Sequence, residues 1–314
     1  MFIIPYKSDV NLSRPPILTI IVCLVCVFIY YLQAQSDRKI AEFTTDYCIE
    51  KKTRMLQHVF DKIVFKGHQA SCPQFLSLVA AAPDKQEMLN SFISSTKKFK
   101  SLSASASKKL VTKELNQLYT SYSVTAPKDM TVDYWYHPSS WSIPHMLTSA
   151  FAHGSWSHVI GNVFFFLAFA ATVEIILGVF LYVLFFLTVA GTTSVFYSLH
   201  SIALESLVPT LGLSGVVSGF MGLFMFLAPT VNIKHGFWFI LIFWRIFRFS
   251  IPVWILVLFY IGFDAYKLIT LENWQGINLI AHVGGGIVGY LFGFLFLRNK
   301  KKLVTKELRE QRWS

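Results

Sequence analysis

Apolar positions along this chain fall in long blocks, too long for the strands or short helices of a soluble core. Residues 15–32 form an uninterrupted apolar run of about the length that crosses a bilayer. Five further runs fill the second half: 157–177, 179–199, 213–228, 251–268 and 278–297. The pattern predicts six transmembrane helices. Residues 142–152 are only moderately apolar and contain Pro144, which suits a re-entrant or interfacial segment. Residues 237–249 are apolar but carry Arg245 and Arg248. They are assigned to the interface, with a half-helix leading into the fifth span as the alternative.

The stretch 33–140 is different in kind. It holds 15 of the 28 Lys and Arg and 10 of the 17 Asp and Glu, so it is solvated. Asp84-Lys85-Gln86-Glu87 reads as a capping box opening a helix, which Met88, Phe92 and Ile93 continue at helical spacing. A second helix is expected over 108–119, with the serine-rich residues 101–107 as a flexible joint. The expected fold class is therefore an all-α polytopic membrane protein, a six-helix core with an α-helical soluble insert between transmembrane helices 1 and 2. The boundaries follow: 1–33 is an N-terminal arm and first helix, 34–140 the insert, 141–297 the core, and 298–314 a basic tail.

Composition agrees. The chain is 54% hydrophobic and only 14% charged, against roughly 25% in soluble domains. The net charge of +11 is concentrated beside the spans, which orients a membrane protein and does not call for nucleic acid. The tail from Arg298 carries seven Lys and Arg against two acids. Lys234, Arg245 and Arg248 lie between the fourth and fifth spans, on the same side by count. Both termini are then expected in the cytoplasm and the insert outside it, since long loops translocate largely regardless of charge. No small-residue cleavage site follows the first span, so it reads as a retained signal-anchor. A short arm without an Arg/Ser-rich transit peptide points to a bacterial inner membrane, with an internal eukaryotic membrane as the alternative. Tyr134, Trp135, Tyr136, Trp141 and Trp156 crowd where headgroups are expected.

Of the four cysteines, Cys23 and Cys26 form a CxxC inside the first span and read as inert packing. Cys48 and Cys72 lie in the insert, either as two free thiols or, in an oxidising compartment, as a disulfide. The octapeptide KKLVTKEL occurs twice, from Lys108 and from Lys301, each time basic and amphipathic.

The chemistry gathers around Gly212-Leu213-Ser214-Gly215. Spans two, four and six run in the same direction, from outside inwards. Near their outer ends lie His158 and Asn162 on span two, Ser214 on span four and His282 on span six. Polar groups in membrane helices usually face an interior and mark function. Ser214 and His282 suit a nucleophile and its base. His158 and Asn162, spaced i and i+4, share one helix face and can both donate hydrogen bonds to an oxyanion. Gly215 and Gly219 form one glycine ridge, and Gly285, Gly289 and Gly293 another. If the ridges touch, Ser214 and His282 meet. His153 is expected as a structural hydrogen-bonder, Ser218 as packing, and Glu174 as a loop or helix-end residue. No metal or cofactor is expected.

At these residues the chain resembles the rhomboid family of intramembrane serine proteases. The motifs are His158-xxx-Asn162, Gly212-x-Ser214-Gly215 and Ala281-His282-xx-Gly285-xxx-Gly289, over residues 141–298. The resemblance implies a rhomboid-like six-helix core and cleavage of single-pass transmembrane substrates in the lipid bilayer. Ser214 would be the nucleophile and His282 the base and acid. His158, Asn162 and the Ser214 amide would hold the oxyanion. Glu174-xxx-Gly178 is similar to a further family feature. Ser218 stands where many members carry an aromatic that stacks on the histidine, and the first-loop tryptophan-arginine pair is absent. Residues 267–277 are the expected mobile cap. The alternative is a catalytically inactive rhomboid-like protein that binds and escorts membrane helices. A channel or transporter is disfavoured, because neither an acidic relay nor an inverted repeat is visible.

Overall fold

A computed structural model describes residues 2–8, 14–82, 84–205, 208–238, 247–270 and 278–313. The chain divides into two compact units, Leu32–Asp133 and the remainder (Met1–Tyr31 with Tyr134–Ser314). It opens with strand β1 (Phe2–Ser8) and the long helix α1 (Ile17–Glu50), which begins in the larger unit.

The smaller unit holds α2 (Arg54–Phe60), the two-stranded hairpin β2 (Val64–Phe65) and β3 (His68–Gln69), then α3 (Cys72–Ala81), α4 (Lys85–Ser94) and α5 (Ala104–Thr125), closing near α6 (Met130–Tyr134). Four helices start in the same way. Thr53, Ser71, Asp84 and Ser103 each accept the amide three residues on, so one otherwise unpaired donor of each first turn is satisfied. Asp84 caps α4 as its capping box predicts. Ser103 caps α5, and residues 104–107 form its first turn, so the expected joint at 101–107 is mostly helix. Local serine content reads as a linker, but a serine followed by alanines is also a good helix start. The apolar faces close on Val59, Ile63, Phe75, Leu76, Val79, Phe92, Val111 and Leu115, all fully buried. Phe65 stacks on Phe92 at 4.1 Å, and Phe75 meets Phe92 edge-on at 5.1 Å.

Cys48 and Cys72 form a disulfide across 24 residues, tying α1 to the start of α3. A loop of this size implies about 3 kcal/mol of stabilisation. Reducing it is expected to speed amide exchange throughout 54–125, which hydrogen-exchange mass spectrometry in detergent would read.

The larger unit continues with α7 (Ile143–Thr148), α8 (Trp156–Leu177), α9 (Val179–Ala203), α10 (Ser214–Leu227), β4 (Asn232–Trp238), β5 (Phe247–Pro252), α11 (Val253–Thr270), α12 (Leu279–Phe296) and α13 (Arg298–Trp313). Helices α1, α8, α9, α11 and α12 are long and apolar enough to cross a membrane. Helix α10 is shorter, at 14 residues, and nearly all of it is buried. Its Phe220 is the hub of the unit, with Phe166, Tyr182 and Phe185 rings 5.2, 5.1 and 4.9 Å away. Cys23 and Cys26 are buried packing residues. The two KKLVTKEL copies lie within α5 and α13, both helical.

Two expectations change here. The flanks of segment 237–249 are strands, in a sheet of order β1-β4-β5 with both pairings antiparallel, while 239–246 lies outside the described residues. The segment is rich in Phe, Trp and Ile, which favour strands once a partner edge exists. That edge comes from the first residues of the chain, which local apolarity does not reveal. Glu174 is not a simple helix-end residue. It is buried, and its carboxylate accepts from the Leu18 amide (3.0 Å), the Thr19 amide (2.7 Å) and the Thr19 hydroxyl (2.8 Å). A residue 155 positions away thus caps the first turn of α1, where the helix dipole favours negative charge. Just beyond it, Gly178 (φ +76°) makes the one-residue turn from α8 to α9. Glu174→Ala would strand three donors and is expected to cost about 3 kcal/mol. Thermal unfolding in detergent would show the loss, with Glu174→Gln falling in between.

Candidate functional site

The site begins with glycine. Helices α10 and α12 approach backbone to backbone along the two ridges. A Cβ on Gly285 would fall on the Gly215 carbonyl oxygen, one on Gly289 on that of Gly219, and one on Gly222 on that of Gly286. The ridges therefore face each other. Ser214 and His282, each just ahead of its ridge, meet: His282 Nε2 lies 2.7 Å from Ser214 Oγ.

Three contacts brace the approach to Ser214. Tyr136 and Thr210 exchange backbone hydrogen bonds (2.8 and 2.9 Å), the Gly212 amide donates to the Ser149 carbonyl (2.8 Å), and Asn278 Nδ2 donates to Thr210 Oγ1 (3.0 Å). Asn278 also caps α12 through the Ala281 amide, so one side chain joins the starts of the serine and histidine helices. Gly212 has φ +121°, which disfavours any side chain, and a Cβ there would lie 2.8–2.9 Å from the His158 ring.

His158 and Asn162 share the inner face of α8 as their spacing predicts. Their polar tips converge beside Gly212: a Cβ built there would be 2.9 Å from His158 Nε2 and 3.8 Å from Asn162 Nδ2. Asn162 Nδ2 is buried and has no hydrogen-bond partner among the described residues. An unpaired buried donor is costly, so its retention beside the serine asks for a function. His153, in the turn before α8, hydrogen-bonds the Phe151 carbonyl at 3.2 Å and meets the His158 ring edge-on at 5.0 Å. Burial, reinforced by His158 and opposed by the Phe151 carbonyl, pushes its pKa down to about 3, so the ring is neutral. Ser218 is buried among packing residues on α10. A cleft beside Ser214 is lined by small and polar side chains, among them Ser149, Thr193, Ser194 and Asn278.

One residue was absent from the sequence reading. Asp264 on α11 has Oδ2 2.7 Å from His282 Nδ1, and both side chains are about four-fifths buried (17% and 20% exposed). The available signal was the lone acid in an apolar helix, since ionisable groups in membrane segments mark function by default.

The chain is thus a polytopic helical membrane protein with a serine at the head of a short, buried central helix, hydrogen-bonded to a histidine on a glycine-packed neighbour. The family model of the Rhomboid domain matches residues 140–299, just over half of the chain, and the protein belongs to the rhomboid family, whose members are in general intramembrane serine proteases. Comparison with curated proteins gives no match.

Proposed function

We propose that this protein is an intramembrane serine endopeptidase with Ser214 as nucleophile and His282 as general base and acid. The observation that carries this is the 2.7 Å contact between His282 Nε2 and Ser214 Oγ. Ser214 Oγ attacks the scissile carbonyl carbon while Nε2 takes its proton. The oxyanion that forms is held by His158, Asn162 Nδ2 and the first-turn amides of α10, which have no acceptor within the helix. The C–N bond breaks as Nε2 returns the proton to the leaving amine. Water, activated by the same nitrogen, then hydrolyses the acyl-enzyme.

The reading includes a six-span core, with α10 as the shortest span. At 1.5 Å per residue its 14 residues cover about 21 Å, less than the roughly 30 Å hydrocarbon layer. Its head, with Ser214, then lies below the outer surface, and polar walls such as His158 and Asn162 admit water. Substrates are single-pass helices that unwind near the scissile bond, and the small volume of the cleft beside Ser214, about 30 Å³, suits a small residue there. The expected mobile cap at 267–277 begins in the last turn of α11, with 271–277 outside the described residues. The disulfide supports a non-cytosolic side for unit Leu32–Asp133. The proposal puts both termini in the cytoplasm of a bacterial inner membrane; the pairing of β1 with β4 supports residues 2–8 lying on the same side as the link between the fourth and fifth spans.

A fluorophosphonate probe tests the reading. Ser214 in the wild type is expected to be labelled and Ser214→Ala to stay unlabelled. A folded wild type that takes no label would instead support the inactive, helix-escorting alternative.

A further inference from the structure

The partner of His282 Nδ1 is unusual for a site built on a serine and a histidine alone. Asp264 comes from a different helix, and its 2.7 Å contact is made by a carboxylate four-fifths buried. Among the described residues no other carboxylate hydrogen-bonds this ring. An imidazole can rotate about its Cβ–Cγ bond and can carry its proton on either nitrogen. The reaction needs one choice: Nδ1 protonated, and Nε2 bare and aimed at Ser214. A stacked aromatic would fix the plane of the ring but not the tautomer. Here the position one turn after the serine is Ser218, which is too small to stack.

We infer that Asp264 is the positioning residue of this site, extending the serine–histidine pair into a serine–histidine–aspartate relay across α10, α12 and α11. The inference rests on the protease reading and deepens it. Nδ1–H donates to Oδ2, which leaves Nε2 as the acceptor for the Ser214 hydroxyl. When Nε2 takes the serine proton, the imidazolium forms 2.7 Å from a negative charge in a partly water-excluded site, where such compensation is strong. The helix spacing serves the contact: one turn after His282 on α12 and one turn before Asp264 on α11, Gly286 has no Cβ where Ile261 packs, so the two backbones can close.

The alternative is that the pair merely glues α11 to α12, and Asp264→Asn separates the two. Asn keeps the size and can still hydrogen-bond the ring, but it lacks the charge and does not enforce the tautomer. With the purified full-length protein in liposomes and a single-span substrate, the expected result is a fall in kcat of about a hundredfold to ten-thousandfold with KM unchanged. Fluorophosphonate labelling of Ser214 should slow in parallel, and the melting temperature should hold. Asp264→Glu should recover part of the lost rate, since charge and acceptor return with one extra methylene. In a His282→Ala background, Asp264→Asn should slow labelling no further. A wild type that cleaves and an Asp264→Asn protein that cleaves equally fast would overturn the inference. So would a loss confined to KM or melting temperature, the mark of simple glue. A wild type that neither cleaves nor labels would sink the protease reading itself and this inference with it.

Discussion

Ser214→Ala is expected to abolish cleavage of a single-span substrate in liposomes, lowering kcat by about ten-thousandfold or more. The loss should appear without a change in melting temperature, because Ser214 is only half-buried and contributes a hydroxyl to His282 alone among the described contacts. His282→Ala should cost about as much, because nucleophile and base act as a unit and removing either disables both. The double variant should then be little worse than either single one. Full retention of activity in both single variants would show that the chemistry lies elsewhere.

Gly289→Val is the second large effect, and it acts through the fold. A Cβ at this position would fall on the Gly219 carbonyl oxygen and lie 2.9 Å from the Leu223 amide nitrogen, both backbone atoms of a buried helix. Backbone cannot rotate away as a side chain can, so α10 and α12 must separate. The expected cost is about 3 kcal/mol, read as a lower melting temperature in detergent. Activity should fall further than stability predicts. A separation of about 1 Å between the helices carrying Ser214 and His282 misaligns nucleophile and base, which alone costs about a hundredfold. Gly161→Ala is the control, since nothing lies within 4 Å of a Cβ there. An unchanged melting temperature and rate in Gly289→Val would mean that the ridges do not hold the site together.

The parts of the fold that were legible in advance share a physical cause. A membrane span announces itself through length and apolarity, because the bilayer supplies the solvent that a soluble helix must find in its neighbours. The N-cap of α4 was legible for the same local reason, since Asp84 reaches an amide three residues away. What escaped prediction depends on distant partners. The flanks of 237–249 are strand because residues 2–8 pair with β4, and Glu174 is buried because the head of α1 needs an acceptor. Neither partner lies within reach of a local window.

The site divides along the same line. Residue types and spacing alone named Ser214, His282, His158 and Asn162 and set them at a common depth, because helical periodicity converts sequence position into face and height. That determination also covered the glycine ridges and the membrane class of the protein. Only the tertiary structure decided that the two ridges face each other, that Asn162 Nδ2 is buried beside Gly212 without a partner among the described residues, and that Asp264 stands against His282. Each of these depends on the rotation and separation of neighbouring helices. Packing of side chains and bare glycine backbone sets those quantities, and no single helix carries them in its own sequence.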